Sequence, residues 1–351
     1  MKHKMIFIII GPVLLVLFGC NNNPVIPPPP VGPDTTSHNI IWQSDTLGDF
    51  MSDLSDIWGT SPDNVWAVGL IRQNVINGTS VLHYDGKKWE AANYFKTDLK
   101  GIYGFSETDI WAVGSDPIYP FRDALIAHYD GNSWSTKEII PDTEPLNKIW
   151  GTSSNDLFAV GSKGIILHYN GSKWTKMQSG KSYSLQDVWG FAPNDVYAGG
   201  GGNAESYAVL LHYDGSSWKA IVDSSSQTKG QIIQTIWGSS PNNVYYWSSF
   251  GGSTSGFFNG SVNTGWNMQT IPNDHTVMQH MRGSSANNIF IVGPFSIILH
   301  YNGSTWHRYD EIYRKPGGDI LSSVFTIDKT VFIVGQYFNT AKALIYKGTI
   351  E

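Results

Sequence analysis

Residues Leu146 to Trp174 read LNKIWGTSSNDLFAVGSKGIILHYNGSKW, and this stretch decides the fold. It opens with a short β-like run, Leu146 to Trp150. A turn signal follows at Ser153-Ser154-Asn155-Asp156, then a second run from Leu157 to Val160 ending at Gly161. A third run, Ile165 to Tyr169, passes through the hairpin signal Asn170-Gly171 to Trp174, where a fourth begins. Four short runs with turn chemistry between them predict a four-stranded antiparallel meander. Such a unit cannot bury both faces alone and must stack on copies of itself.

The copies are present. Ile149-Trp150-Gly151 recurs as Ile57-Trp58-Gly59, Ile102-Tyr103-Gly104, Val188-Trp189-Gly190 and Ile236-Trp237-Gly238, then decays to Met281-Arg282-Gly283 and Val324-Phe325-Thr326. An aromatic in the second run recurs as Trp66, Trp111, Phe158, Tyr197, Tyr245, Phe290 and Phe332. The spacing of roughly 40–48 residues is that of four-stranded propeller blades. Six copies carry a fourth-strand Trp: Trp89, Trp134, Trp174, Trp218, Trp266 and Trp306. The seventh ends at Glu351 with no room for that strand. Trp42, in Asn39-Ile40-Ile41-Trp42-Gln43, lies about one period before Trp89 and supplies the missing piece. An open array leaves two sticky edges, whereas pairing the termini removes both. The expected fold is therefore all-β, a seven-bladed β-propeller of four-stranded antiparallel blades closed by the N-terminal strand.

From Ile40 to Gly348 the chain resembles the seven-bladed β-propellers closed in WD-repeat fashion. More narrowly it is similar to repeat lipoproteins of the bacterial envelope that carry IWG-(T/S)-S-x-x-D-V-(W/F/Y)-A-V-G and L-H-Y-(D/N)-G-x-x-W. The regular Gly-Gly of Kelch repeats and the Trp-Asp of WD repeats are both missing. The resemblance implies a fold; activity has to be read from the site.

Ahead of the repeats, Lys2, His3 and Lys4 precede an apolar run from Met5 to Phe18, too short to span a bilayer. Leu17-Phe18-Gly19-Cys20 resembles a lipobox, which implies lipidation at Cys20. Cys20 is the sole cysteine, so no internal disulfide can form. Six prolines between Pro24 and Pro33 read as an extended spacer. The expected organisation is a signal peptide over 1–19, a lipidated Cys and linker over 20–38, and the propeller over 39–351. A bacterial cell-envelope location follows, anchored in the membrane by lipid, at the outer membrane or cell surface.

Net charge is -6 with no basic tract, which excludes nucleic acid as a partner. His83, His128, His168, His212 and His300 recur one per unit, around a circle rather than on one ion. No His-x-His, HExxH or CxxC occurs, so no metal, cofactor or catalytic residue is assigned. Each His reads as an imidazole bonded within its blade, to a group such as Asp63 or Thr60. The first-, second- and fourth-strand aromatics read as blade-to-blade core.

Loop lengths locate function. Connections from strand one to two and from three to four are constant between copies: Gly59 to Gly69 equals Gly151 to Gly161, and His83 to Trp89 equals His300 to Trp306. Connections from two to three and from four to the next unit vary. One face is therefore uniform and the other elaborated, and binding belongs on the elaborated one. Candidate ligand-binding residues are Arg72, Tyr119, Phe121, Arg122, Tyr207, Trp247, Phe250, Arg282, Tyr337 and Phe338. Trp247 replaces a repeated Val, and Arg282 replaces the first-strand aromatic. Aromatics mixed with Arg suit a glycan or a protein partner. The expected function is a monomeric, non-enzymatic binding platform. The alternatives are a glycoside hydrolase or lyase using Asp116 and Glu205, and an envelope scaffold. Phe257-Phe258-Asn259-Gly260 reads as a diverged His-Tyr-Asp-Gly.

Overall fold

The computed structural model describes residues 35–73, 77–116, 122–202, 207–223, 231–249, 256–269, 271, 278–312 and 317–351. Cys20 and the Pro-rich spacer, with Tyr119, Phe121, Glu205 and Phe250, lie outside them.

Leu146–Ser153, Asp156–Gly161, Ile166–Tyr169 and Trp174–Met177 form the third meander, as the alternation of apolar runs and turns requires. Equivalent meanders begin at Asp53–Ser61, Leu99–Ser106, Ser184–Ala192, Ile232–Ser240 and His280–Ser285. The last comprises Ile320–Ile327, Thr330–Tyr337, Lys342–Ile350 and, returning from the other end of the chain, Ile40–Leu47. Ile40–Leu47 pairs antiparallel with Lys342–Ile350, Trp42 opposite Gly348 and Asp45 opposite Ile345. The termini are thus joined by a ladder. Numbering the meanders one to seven in chain order, with the last completed by Ile40–Leu47, units four and five share one eight-stranded sheet through the single pair Gly201–Ile232. The other five are separate four-stranded sheets.

First strands lie side by side around a common axis, each against that of the next unit, and Ile320–Ile327 returns to Asp53–Ser61. Apolar cores fill the wedges between consecutive sheets. Trp111 and Ile126 of unit two pack with Leu157 and Trp174 of unit three. Phe332 and Ile345 of unit seven pack with Leu54 and Ala67 of unit one. The second- and fourth-strand rings take the expected place in these wedges: Trp66 meets Trp134 of the next unit at 5.7 Å.

The third-strand His is part of this scaffold, with a correction to its partner. His83 Nε2 bonds Asn64 Oδ1 at 2.7 Å, rather than Asp63 or Thr60, and Asn64 in turn donates to Thr60 Oγ1. In unit three His168 meets Asp156 at 2.7 Å, and Thr152 donates to the same carboxylate. Each imidazole also covers the second-strand ring, as His83 stacks on Trp66 at 4.1 Å. Unit five has a corrected register as well. Asn259 faces Tyr245, as His168 faces Phe158, so Asn259 rather than Phe257 occupies the His position.

Six first strands carry a β-bulge near their start. In unit three Leu146 pairs with Gly161 and Lys148 with Val160, leaving Asn147 unpaired. The same shift leaves out Ser55, Lys100, Gln186, Gln234 and Ser322. A bulge bends the strand and re-aims its side chains. It also explains the repeated Val-Gly of the second strand. A Cβ on Gly161 would lie 2.0 Å from the Pro145 carbonyl oxygen, so only glycine lets the bulged strand pass.

Candidate functional site

The bulged first strands line the axis in three layers, read off each strand at fixed offsets. The repeated Trp-Gly position gives Trp58, Tyr103, Trp150, Trp189, Trp237, Arg282 and Phe325. These rings pack against the blade-to-blade cores, as the sequence suggested, and they also surround an axial cavity of about 190 Å³. Neighbours overlap as a pinwheel, with Tyr103–Trp150, Trp150–Trp189 and Trp189–Trp237 centroids 6.4, 6.3 and 6.4 Å apart. The following glycine makes room for the previous unit's ring. A Cβ on Gly190 would lie 2.7 Å from Trp150, and one on Gly104 would lie 2.5 Å from Trp58.

Two residues earlier stand Asp56, Gly101, Lys148, Asp187, Thr235, His280 and Ser323. Their polar members are buried, and together they form a septum across the axis. Lys148 Nζ bonds Asp56 Oδ1 at 2.7 Å and His280 Nε2 at 2.9 Å. Ser323 donates to Asp56 Oδ1 at 2.7 Å, and the Ile102 N–H donates to Asp56 Oδ2 at 2.9 Å. Across the axis the Arg282 guanidinium forms a fork on Asp187, both bonds 3.0 Å, and lies 5.2 Å from the Trp189 ring centroid. Thr235 and the Ile236 N–H complete the Asp187 shell. Burial alone would raise the Asp187 carboxyl, but Arg282 and Lys148 hold it below the usual range. His280 is pushed well below an ordinary imidazole by burial, reinforced by Lys148 and Arg282.

One residue earlier still come Ser55, Lys100, Asn147, Gln186, Gln234, Gln279 and Ser322. They surround a second axial cavity of about 260 Å³, whose floor is the same Lys148–His280 pair. Because strands run from this layer toward the first hairpin, the polar mouth opens on the face of variable connections and the aromatic cup faces the other way. Lys100 and Asn147 also line a side cavity of about 400 Å³ that reaches Lys96, Asp98, Asp116 and Arg122. The mouth therefore continues outward as a polar groove over units two and three. At its rim the Asp53 carboxyl is pushed up to about 6 by burial and by Asp98, against the opposing charge of Lys100.

Solved structures share the fold. YCF48 bound to D1 peptide superposes with a TM-score of 0.65 at 14% identity, over 90% of this chain and 100% of that one. YCF48 from Cyanidioschyzon merolae gives 0.61 at 16% identity, covering 87% and 98%. An inactive virginiamycin B lyase from Staphylococcus aureus with quinupristin gives 0.63 at 10% identity, covering 89% and 100%. The chain folds as a β-propeller. No protein-family model matches the sequence, and neither does any curated protein. At such identities the propellers share a fold and nothing further is carried across.

Of the binding residues expected from sequence that lie among the described residues, the propeller brings two to the cavities above. Arg122 lines the groove, and Arg282 enters the axis, where it holds the septum. Trp247 is 1% exposed and packs with Phe257, Met278 and Ile291 inside the wedge between units five and six. Arg72 is exposed and donates to the Met51 carbonyl. Tyr207 and Tyr337 are half-buried, and Phe338 is exposed beside Gly317. Asp116 lies in the groove wall, 8% exposed. Sequence reasoning looked for function in the loops and passed over the mouth residues. Their signal was present: a polar side chain two places before each Ile-Trp-Gly element.

Proposed function

We propose that this protein is a non-enzymatic binding platform that holds an extended polypeptide segment of a partner protein across its variable face. The observation that carries the reading is the polar mouth joined through Lys100 and Asn147 to the groove at Arg122. Side-chain amides such as Gln186 and Gln279 offer donor and acceptor together, the pairing that peptide groups require. Lys96, Lys100 and Arg122 stand with Asp53, Asp98 and Asp116 along the groove, which suits a segment bearing both charges. That a propeller of this fold has been seen with a D1 peptide supports a polypeptide over a glycan as ligand. The eight-stranded sheet counts as two blades joined by one bridge, which makes the ring seven-bladed. Lipidation at Cys20 would tether the platform to a bacterial membrane; mass spectrometry of the mature protein tests that part.

The test of binding is selection of displayed random peptides on the purified protein, in parallel with a glycan array. Peptides should enrich, and Gln279→Ala or Arg122→Ala should weaken the selected ones about tenfold, roughly 1.4 kcal/mol. A glycan signal with no peptide enrichment would replace the polypeptide by a sugar.

A further inference from the structure

The two cavities on the axis share a floor and differ in charge. The polar mouth has the Asp53 carboxyl in its wall. The aromatic cup is lined by Lys148, His280 and Arg282, with no acid among the described residues around it. The acids that balance these bases, Asp56 and Asp187, are each 1% exposed and lie within the septum. Their oxygens are already engaged. Asp56 accepts from Lys148, Ser323 and the Ile102 N–H, and Asp187 from Arg282, Thr235 and the Ile236 N–H.

The bases keep unused donors. An ammonium has three, and Lys148 directs two of them to Asp56 and His280. Arg282 commits Nη1 to Asp187 and to the Ile236 and Met281 carbonyls, and one Nη2 hydrogen to Asp187. The third Lys148 hydrogen, the Arg282 Nε–H and its second Nη2 hydrogen meet no partner among the described residues. Burial lowers the Lys148 ammonium from its ordinary range, against the pull of Asp56. An anion on the cup side would restore what burial removes. The Arg282 charge also acts on the cup wall: burial raises the Tyr103 hydroxyl, and Arg282 draws it down.

The walls define the rest of the ligand. Trp58, Tyr103, Trp150, Trp189, Trp237 and Phe325 surround the space with rings. Of these, Trp58, Tyr103, Trp189 and Phe325 are half-buried, which leaves the cup open to solvent. Its volume of about 190 Å³ suits one six-membered ring with a short substituent, since about 150 Å³ holds benzene. Flat rings pack well against such walls, offset or edge-on. An amino group on the ligand would be repelled by Lys148 and Arg282.

We infer that the aromatic cup binds a small aromatic monocarboxylate, its ring among the Trp and Tyr side chains and its carboxylate on Lys148 and Arg282. Bonds of that kind, with both partners charged, are about twice as strong as neutral ones. This site lies on the far side of the septum from the proposed polypeptide groove and does not depend on it.

The test uses the full protein with phenylacetate as probe, titrated by calorimetry at pH 7. Phenylacetamide keeps the ring without the charge, and cyclohexylacetate keeps the charge without the aromatic ring. Phenylacetate should saturate one site per chain. The amide should bind at least about tenfold more weakly and the cyclohexyl acid at least about threefold more weakly. Trp58→Leu and Phe325→Leu, each checked for an intact fold, should weaken phenylacetate at least about threefold and so locate it in the cup. No saturation up to about 10 mM, an amide or cyclohexyl acid that binds as tightly, or parent affinity in the folded cup variants overturns the inference. The ligand series is read on the unsubstituted protein, so it stands even where a variant fails to fold.

Discussion

The two ends of the propeller axis are built from the same strands, three residues apart, and they differ in kind. The aromatic cup repeats one solution, a ring at the same place in the first strand, in every unit but the sixth. The polar mouth is equally regular in place but varied in chemistry: Ser, Lys, Asn, Gln, Gln, Gln and Ser. Between them the septum uses a different residue in almost every unit. A packing solution can be copied from blade to blade, because each blade presents the next with the same wedge. A hydrogen-bonded layer around a single point cannot, since identical charges there would repel. Asp56, Lys148, Asp187 and Arg282 balance one another only because they differ.

The largest expected effect comes from breaking that balance. Asp187→Ala strands the Arg282 guanidinium, whose side chain is only 12% exposed and has no other carboxylate among the described residues. The loss should be about 3–5 kcal/mol in urea unfolding. A loss below about 1 kcal/mol would mean that the septum does not divide the axis as described. Acid provides a second test. His280 and His300 are neutral in the fold, His300 lowered to about 3 by burial and by His38 and His307. The unfolded chain takes up protons near 6.5, so their contribution is complete above that pH and fades as pH falls toward their folded values. Each should contribute a slope of up to about 1.4 kcal/mol per pH unit. His300→Gln should flatten the pH-dependence of the melting temperature between 6 and 4.

The cup is sharpened by Gly104→Ala, which sets a methyl 2.5 Å from the Trp58 ring. Overpacking of this sort should cost about 1–3 kcal/mol, read from the denaturation midpoint. The mouth gives the smallest change and the opposite sign. Asp53 holds its proton up to about 6 in the fold, against 3.8 as its ordinary value. The folded state therefore binds more protons between those values, and at pH 7 the charged carboxylate is unfavourable. Asp53→Asn should raise stability at pH 7 by up to about 1 kcal/mol and change nothing below pH 4.

Much of the scaffold was readable from the chain. The Ile-Trp-Gly period marked the units, Asp/Asn-Gly marked the hairpins (Gly171 has φ +87°), and Trp42 marked the closing strand. The site was less legible because it depends on a displacement that sequence does not announce. A single extra residue at Asn147 or Gln186 turns a strand that looks wholly structural so that its polar side chains meet at the axis. Trp247 misled for the converse reason. It departs from the repeat, yet its ring is absorbed by Phe257 and Met278 in the wedge rather than displayed. Arg282 also departs from the repeat and does reach the axis, but as the partner of Asp187, a contact between units 95 residues apart in sequence.

The central claim is that ligand meets the variable face through the bulge residues, while the aromatic end serves a separate role. Its most direct measurement is the affinity of a selected peptide for two variants, Gln186→Ala/Gln279→Ala at the mouth and Trp58→Leu at the cup, each checked for an intact fold. The account predicts about tenfold or greater weakening in the first and an affinity within about twofold of the parent in the second. Weakening in the Trp58 variant with none at the mouth would contradict it.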